Sequence, residues 1–140
     1  MKYKMIEAHS YVIVLEPGEE VVEMLGKFLA EEHIANACFS GIGALSRVEL
    51  AHYRVDTRKY SSRVVEEPLE LANLTGNAFL FAGKPLVHAH VTLADANFTT
   101  MAGHLVSGVI SATAEIIVKR LDSKLEKQHS PAIGLKLLNL

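Results

Sequence analysis

The 140-residue sequence has no tryptophan, one cysteine, four prolines and only 6% aromatic residues. With Cys38 alone, an internal disulfide and any cysteine-cluster metal site are excluded, and the chain fits a reducing compartment. Neither sign of charge dominates. Fourteen Lys and Arg against sixteen Asp and Glu give a net charge of −2 with histidine neutral, which excludes a nucleic-acid binder held by overall charge, although not a local basic patch. Long apolar runs are also missing. The longest charge-free stretch, Ala96 to Ala114, is interrupted by Asn97, Thr99, Thr100, His104, Ser107 and Ser111. It cannot pass as the roughly 20 apolar residues of a membrane span. The apolar run after Lys2 and Lys4, Tyr11 to Leu15, is far shorter than a signal-peptide core. These absences lead us to expect a cytoplasmic protein with no membrane partner.

The chain does carry a surplus of apolar residues, 49% against 21% charged. A chain of this length buries about two-thirds of its surface in one core, so no staples are needed. No repeat, Gly/Ser linker or low-complexity block marks a boundary, and we expect one domain over residues 1–140. Tyr11-Val12-Ile13-Val14-Leu15, closed by Glu16-Pro17-Gly18, reads as a strand buried on both faces and followed by a turn. Val21, Val22, Leu25, Phe28 and Leu29 then recur at helical spacing. Glu19 and Glu20 are expected in the first turn, where the helix dipole favours acids.

Beyond that helix, near residues 19–33, no long segment keeps a 3.6 period, and Gly or Pro punctuates frequently. Strands are expected at Ile34–Ser40, Ser46–Val55, Leu69–Thr75, Ala78–Phe81, Leu86–Leu93 and Ala112–Leu121, with Leu135–Leu138 weaker. The expected fold class is α+β: a mainly antiparallel sheet, partly closed and barrel-like, with one clear helix.

Chemistry concentrates in Leu86-Val87-His88-Ala89-His90-Val91-Thr92-Leu93, whose strict alternation puts His88 and His90 on one face. Two imidazoles about 6.6 Å apart along a strand can lean onto one cation. His104, fourteen residues beyond His90 and directly after Gly103, is expected across a connecting loop and is the candidate third ligand. Three histidines without cysteine leave a fourth coordination position open, the pattern of catalytic rather than closed structural zinc. An H-x-H pair in a chain with seven histidines is equally the pattern of surface or hydrogen-bonded core imidazoles, and both readings stand on the residues alone. His9, His33, His52 and His129 have no partner at ligand-like spacing. Among the acids, Glu115 falls in what reads as an inner strand, where it would orient an imidazole, transfer a proton or pair with an arginine such as Arg47; Glu70 poses the same choice. Asp95 reads as a solvated turn acid.

Six blocks in order extend this reading: Leu15-Glu16-Pro17-Gly18-Glu19, Phe39 through Leu45, Leu69 through Asn77, His88 through Asp95, Gly103-His104-Leu105 and Ala114-Glu115-Ile116. Together they resemble the plants and prokaryotes conserved (PPC) family over roughly residues 10–120. The resemblance implies an α+β domain that assembles as a homotrimer. It also implies a divalent metal, zinc in the first instance, held by His88, His90 and His104 and open to a small anionic or carbonyl ligand. The family fold is similar to that of acetolactate decarboxylase, so a metal-dependent lyase or hydrolase acting on a small molecule stays open by analogy. One departure is Ala102 before Gly103-His104-Leu105, where the family has a second glycine.

Relatives of this family are often described as DNA-binding. The matching feature here is the tract Arg47 to Arg63, with five cations, Glu49 and Asp56 as its only acids, and Tyr53 and Tyr60 interleaved. Arg54, Arg58, Lys59 and Arg63 are the residues that would meet phosphates. The competing reading is a solvated strand and loop balanced by Glu66 and Glu67, and DNA is the less favoured partner.

Overall fold

In the computed structural model, which describes residues 1–140, the elements run in this order: β1 (Lys2–Glu7), β2 (Ser10–Leu15), α1 (Val21–Glu31), β3 (Asn36–Arg54), β4 (Lys59–Val65), β5 (Leu69–Phe81), β6 (Lys84–Ala94), β7 (Thr100–Leu121), β8 (Glu126–Ser130) and β9 (Leu135–Asn139). The expected α+β class with one helix holds. In β2, however, only Tyr11, Ile13 and Leu15 are buried, while Val12 and Val14 on the other face are half-covered. The strand therefore has one core face, not two.

The helix begins at Val21, so Glu19 and Glu20 precede it. Glu20 is the N-cap, and its carboxylate accepts from the backbone N–H groups of Val22 (3.1 Å) and Glu23 (2.6 Å). That places the acid at the positive end of the helix by capping rather than by occupying the first turn. The same carboxylate accepts from Gly108 N–H at 2.7 Å, fastening the start of the helix to β7.

Several strands expected as separate pieces are continuous. Ile34–Ser40 and Ser46–Val55 fuse into β3, Leu69–Thr75 and Ala78–Phe81 into β5, and Ala112–Leu121 extends back to Thr100 as β7. The glycines read as breaks serve as bends and close-approach points instead. Register shifts at Gly41/Gly43, Gly43/Leu45 and Leu71/Asn73 curve the long strands. β3 pairs with β5 and β7, β5 with β6, and β6 with β7, so these four close a partial ring. All of these pairings are antiparallel. The one parallel contact joins Leu80 of β5 to Glu126 of β8.

A continuous core of 26 buried apolar residues, drawn largely from α1 and from one face of β2, β3, β5, β6 and β7, absorbs much of the apolar content. No helix is long and apolar enough to cross a membrane.

Gly76 shows why glycine is needed mid-strand. It faces Phe39 across the β3–β5 ladder and Ala89 across the β5–β6 ladder. A Cβ there would lie 2.3 Å from the carbonyl oxygen of His88 and 2.6 Å from the Phe39 ring. The obstruction includes rigid backbone, so the site cannot relax cheaply. Gly76→Ala is expected to destabilise the protein by about 1–3 kcal/mol, measured as a lower urea midpoint with an unchanged m-value. An unchanged midpoint would contradict this packing.

Candidate metal centre

The β6 alternation places Ala89, Val91 and Leu93 in the core, with His88 half-buried and His90 exposed on the opposite face. His104 lies across the short 95–99 connection from His90, as expected. It lies within β7, directly opposite His90 in the β6–β7 ladder, so ring closure brings the third imidazole to the pair. Gly103, in extended conformation, keeps β7 close to β3: an added Cβ would sit 3.3 Å from the Ala51 carbonyl oxygen. Ring centroids are separated by 5.3 Å (His88–His90), 5.2 Å (His88–His104) and 5.6 Å (His90–His104). One nitrogen from each lies within 4.8 Å of the others.

Donors around a tetrahedral ion at 2.0–2.1 Å are about 3.4 Å apart, so modest imidazole rotations bring the three into ligating geometry. The protonation state of His88 and His104 suits that role. Burial, reinforced by Lys127, His104 and His90, pushes the His88 pKa down to about 4. Burial, with His90 and Lys127, also lowers that of His104. Neutral imidazoles present the lone pairs a cation requires. The chain's single histidine–carboxylate ion pair is elsewhere, between His9 and Asp122.

Two cavities flank the cluster. One, about 360 Å³, is bordered by His90, His104, His52, Tyr53 and Tyr60. The other, about 390 Å³, is bordered by His88, His104, Tyr60, Lys127, His129 and Lys136. Tyr60 belongs to both and leans against His104, with ring centroids 5.8 Å apart. Burial and then Lys136 lower the pKa of Lys127.

Glu70 and Glu115 are brought together, but apart from the histidines. Both are exposed and line a separate outer depression of about 420 Å³ with Ile42, Ala44 and Thr113. Thr113 to Val118 is an inner strand, paired with β2 on one edge and β3 on the other, but only its Ala114, Ile116 and Val118 side is buried; Glu115 and Ile117 face outward. Arg47 pairs with Glu66 at 3.1 Å rather than with Glu115. Asp95 caps its own turn, accepting from the N–H groups of Asn97 and Thr99.

The basic tract forms the β3–β4 hairpin. Its register pairs Arg54 with Lys59 and Leu50 with Arg63, placing Arg54, Lys59 and Arg63 on one face and the Tyr53–Tyr60 pair on the other. The interleaving seen along the sequence therefore separates in space. Tyr53 donates to the Ile133 carbonyl at 2.6 Å, and Arg58, in the turn, donates to that of Pro131 at 3.1 Å.

The surroundings supplied by His52, Tyr60, Lys127, His129 and Lys136 were missed from sequence. The one available signal for the last three was the turn-forming Ser130-Pro131 and Gly134 between short polar–apolar segments, which marks a hairpin over 126–139.

Residues 5–122 match the Plants and Prokaryotes Conserved (PCC) domain family. The chain is 31% identical over 133 residues to the bifunctional protein GlmU of Synechococcus sp. (strain JA-3-3Ab), covering 93% of this chain and 20% of that protein. It thus spans about a fifth of the length of the curated relatives it matches. A candidate DNA-binding protein from Bacteroides thetaiotaomicron superposes with a TM-score of 0.95 at 27% identity, covering 99% of this chain and 96% of that one. The metal-containing protein AF0104 from Archaeoglobus fulgidus gives a TM-score of 0.87 at 26% identity, covering 99% and 97%. Acetolactate decarboxylase from Bacillus subtilis subspecies spizizenii is similar in fold alone, with a TM-score of 0.56 at 10% identity over 79% of this chain and 52% of that one.

The depressed His88 pKa makes the metal-free protein sensitive to acid. Above about pH 6.5 the imidazole is neutral both folded and unfolded; between 6.5 and about 4 the unfolded chain binds the proton and the folded chain resists it. Stability is therefore lost as pH falls through that window. After allowance for solvent access, we expect a loss of about 1–2 kcal/mol. Urea unfolding of the metal-free protein at pH 7 and 4.5, compared with His88→Gln, measures it. An equal pH dependence in the variant would refute the assignment.

Proposed function

The chain belongs to the Plants and Prokaryotes Conserved domain family, and from that premise we propose that it is a metal-binding domain with an open three-histidine centre. The observation that carries this reading is the convergence of His88, His90 and His104, one nitrogen from each within 4.8 Å of the others. The donor set is imidazole nitrogen without thiolate, which suits zinc or a similar divalent ion. A metal-containing relative of 26% identity and nearly the same length supports it. An ion held there supplies Lewis acidity toward a carbonyl or phosphoryl oxygen and lowers the pKa of a bound water. The chain's own contribution is positional. The β6–β7 ladder fixes the spacing of His90 and His104, Tyr60 restrains the His104 ring from the side, and the flanking cavities leave room for a small ligand.

The working assembly in this reading is a homotrimer in a reducing cytoplasm. Its support is the family resemblance, together with an outer sheet face bearing Ile42 and Ile117, 58% and 45% exposed, beside half-covered Val12. Subunit contact would give that apolar surface a place.

Metal analysis of protein purified without chelator is expected to give about one divalent ion per chain, and less than about a tenth of that in His88→Ala/His90→Ala. Equal content in the two proteins would sink the assignment. Light scattering on the same preparation is expected to report three chain masses.

Contact with DNA is the second reading. The Bacteroides thetaiotaomicron relative is described as a candidate DNA-binding protein, and Arg54, Lys59 and Arg63 share one exposed hairpin face. Three such faces in a trimer would present nine cations to phosphates. Duplex DNA titrated at 50 and 200 mM salt is expected to show affinity falling steeply if these side chains release counterions. No binding at the lower salt removes this reading.

A further inference from the structure

We propose that the C-terminal β8–β9 hairpin converts the cavity beside His88 and His104 into a binding site for a small carboxylate, with Lys127 as its counter-ion. The proposal deepens the metal reading, on whose histidines the cavity opens, but its test reads carboxylate binding rather than metal.

The hairpin lies beyond residues 5–122, yet it is built firmly into the fold. Fully buried Asn36 grips its entrance: the side-chain amide donates to the Leu125 carbonyl at 2.8 Å and accepts from the Leu125 N–H at 3.4 Å. Tyr53 and Arg58 hold its turn through the carbonyls of Ile133 and Pro131. A segment tied at both ends presents its side chains in fixed positions.

Those side chains are unusual in charge. The β8–β9 register pairs His129 with Lys136 and Lys127 with Leu138, so Lys127, His129 and Lys136 share a face, while Glu126 falls on the other. Lys127 is only 8% exposed, but its ammonium makes no ion pair and no hydrogen bond within the chain. No buried polar side-chain atom is left both sealed and unpartnered, so the Lys127 Nζ keeps solvent contact, and the residue itself lines this cavity. Lys136 is stationed nearby, its Nζ 4.3 Å from the centre of the Phe81 ring, and adds positive potential. A largely buried cation with no internal partner and only residual solvent contact gains from an anion that replaces that water.

The rest of the cavity indicates which anion. Its volume of about 390 Å³ and its wall of Leu86, Val87, Leu135 and Leu137 suit an organic body, and a bare inorganic ion would leave that wall unused. A planar carboxylate on a small carbon skeleton satisfies both halves. Its charged end meets Lys127, and its other end lies toward the histidines.

Pyruvate is the probe, with pyruvamide as its neutral counterpart and inorganic phosphate as the competing anion, titrated calorimetrically into the intact protein. Pyruvate is expected to bind at least about tenfold more tightly than pyruvamide, and to weaken by a similar factor in Lys127→Met. Lys127→Arg, which keeps the charge, should recover affinity to within a few-fold. Lys127→Met replaces an unpartnered cation with an apolar chain of similar length, so its thermal midpoint should be unchanged or higher.

Equal affinity for pyruvate and pyruvamide, or undiminished pyruvate binding by Lys127→Met, overturns the proposal. So does tighter binding of phosphate than of pyruvate, or a fall in the Lys127→Met midpoint, which would make the lysine structural. Metal content is measured on every sample. Absence of metal from the unsubstituted protein overturns the metal reading alone, and the pyruvate comparison still decides the hairpin's role.

Discussion

The pairing of β7 with β3 along one edge and with β6 along the other is the constraint on which the rest of the molecule depends. A flat antiparallel sheet could not satisfy both partners of a 22-residue strand without leaving the far edges of β5 and β6 open to other chains. Bulges at the glycine-rich segment of β3 and at Leu71–Asn73 curve the strands until β5 and β6 complete the circuit. Glycine enters here for space rather than for unusual dihedral angles. At Gly41, Gly43 and Gly76 a side chain would run into the backbone of the neighbouring strand. The helix is subordinate to the same framework, since its N-cap Glu20 is shared with Gly108 of β7.

Ring closure also creates the histidine cluster. Along β6 the pleat places His88 and His90 on one side, but only the β6–β7 ladder sets His104 opposite His90. Because those residues sit outside the apolar core, the cluster needs no buried counter-charge, and partial burial keeps the His88 and His104 imidazoles neutral. The C-terminal hairpin covers one side of the cluster and the β3–β4 hairpin the other, with Tyr60 common to the two flanking cavities. The positive charge around the site is thus unevenly distributed. Lys127 and Lys136 stand on the hairpin side, whereas Arg54, Lys59 and Arg63 lie on the face of their own hairpin opposite Tyr53 and Tyr60.

Local periodicity was a good guide wherever one strand or helix face meets the core. Val21, Leu25, Phe28 and Leu29 announce α1, and alternation through Ala89, Val91 and Leu93 orients both histidines of β6. It failed where pairing partners override local composition. Gly41, Gly43 and Gly76 look like chain breaks but lie within continuous strands. β1 and β4 were not anticipated: both are almost entirely exposed, β4 carries no apolar alternation, and the alternation of Lys2-Tyr3-Lys4-Met5 in β1 is too short to stand out. Glu115 was misplaced for the opposite reason. Apolar neighbours on both sides suggested an interior acid, yet Ile117 beside it is itself nearly half exposed.

What the amino-acid sequence determined by itself was the chemistry available: seven imidazoles and a single thiol, no dominant charge, one helix among strands, and a two-residue spacing that commits His88 and His90 to a shared face. Such features are local, because side-chain direction in a strand follows from the pleat alone. Tertiary structure decided which distant residues join them. The approach of His104 to His90, the union of Lys127 with His88 across one cavity, and the separation of the arginines from the tyrosines all depend on ladder register between strands far apart in the chain. Register is set by the collective packing of the core and the positions of the bulges, and neither is written in any single segment.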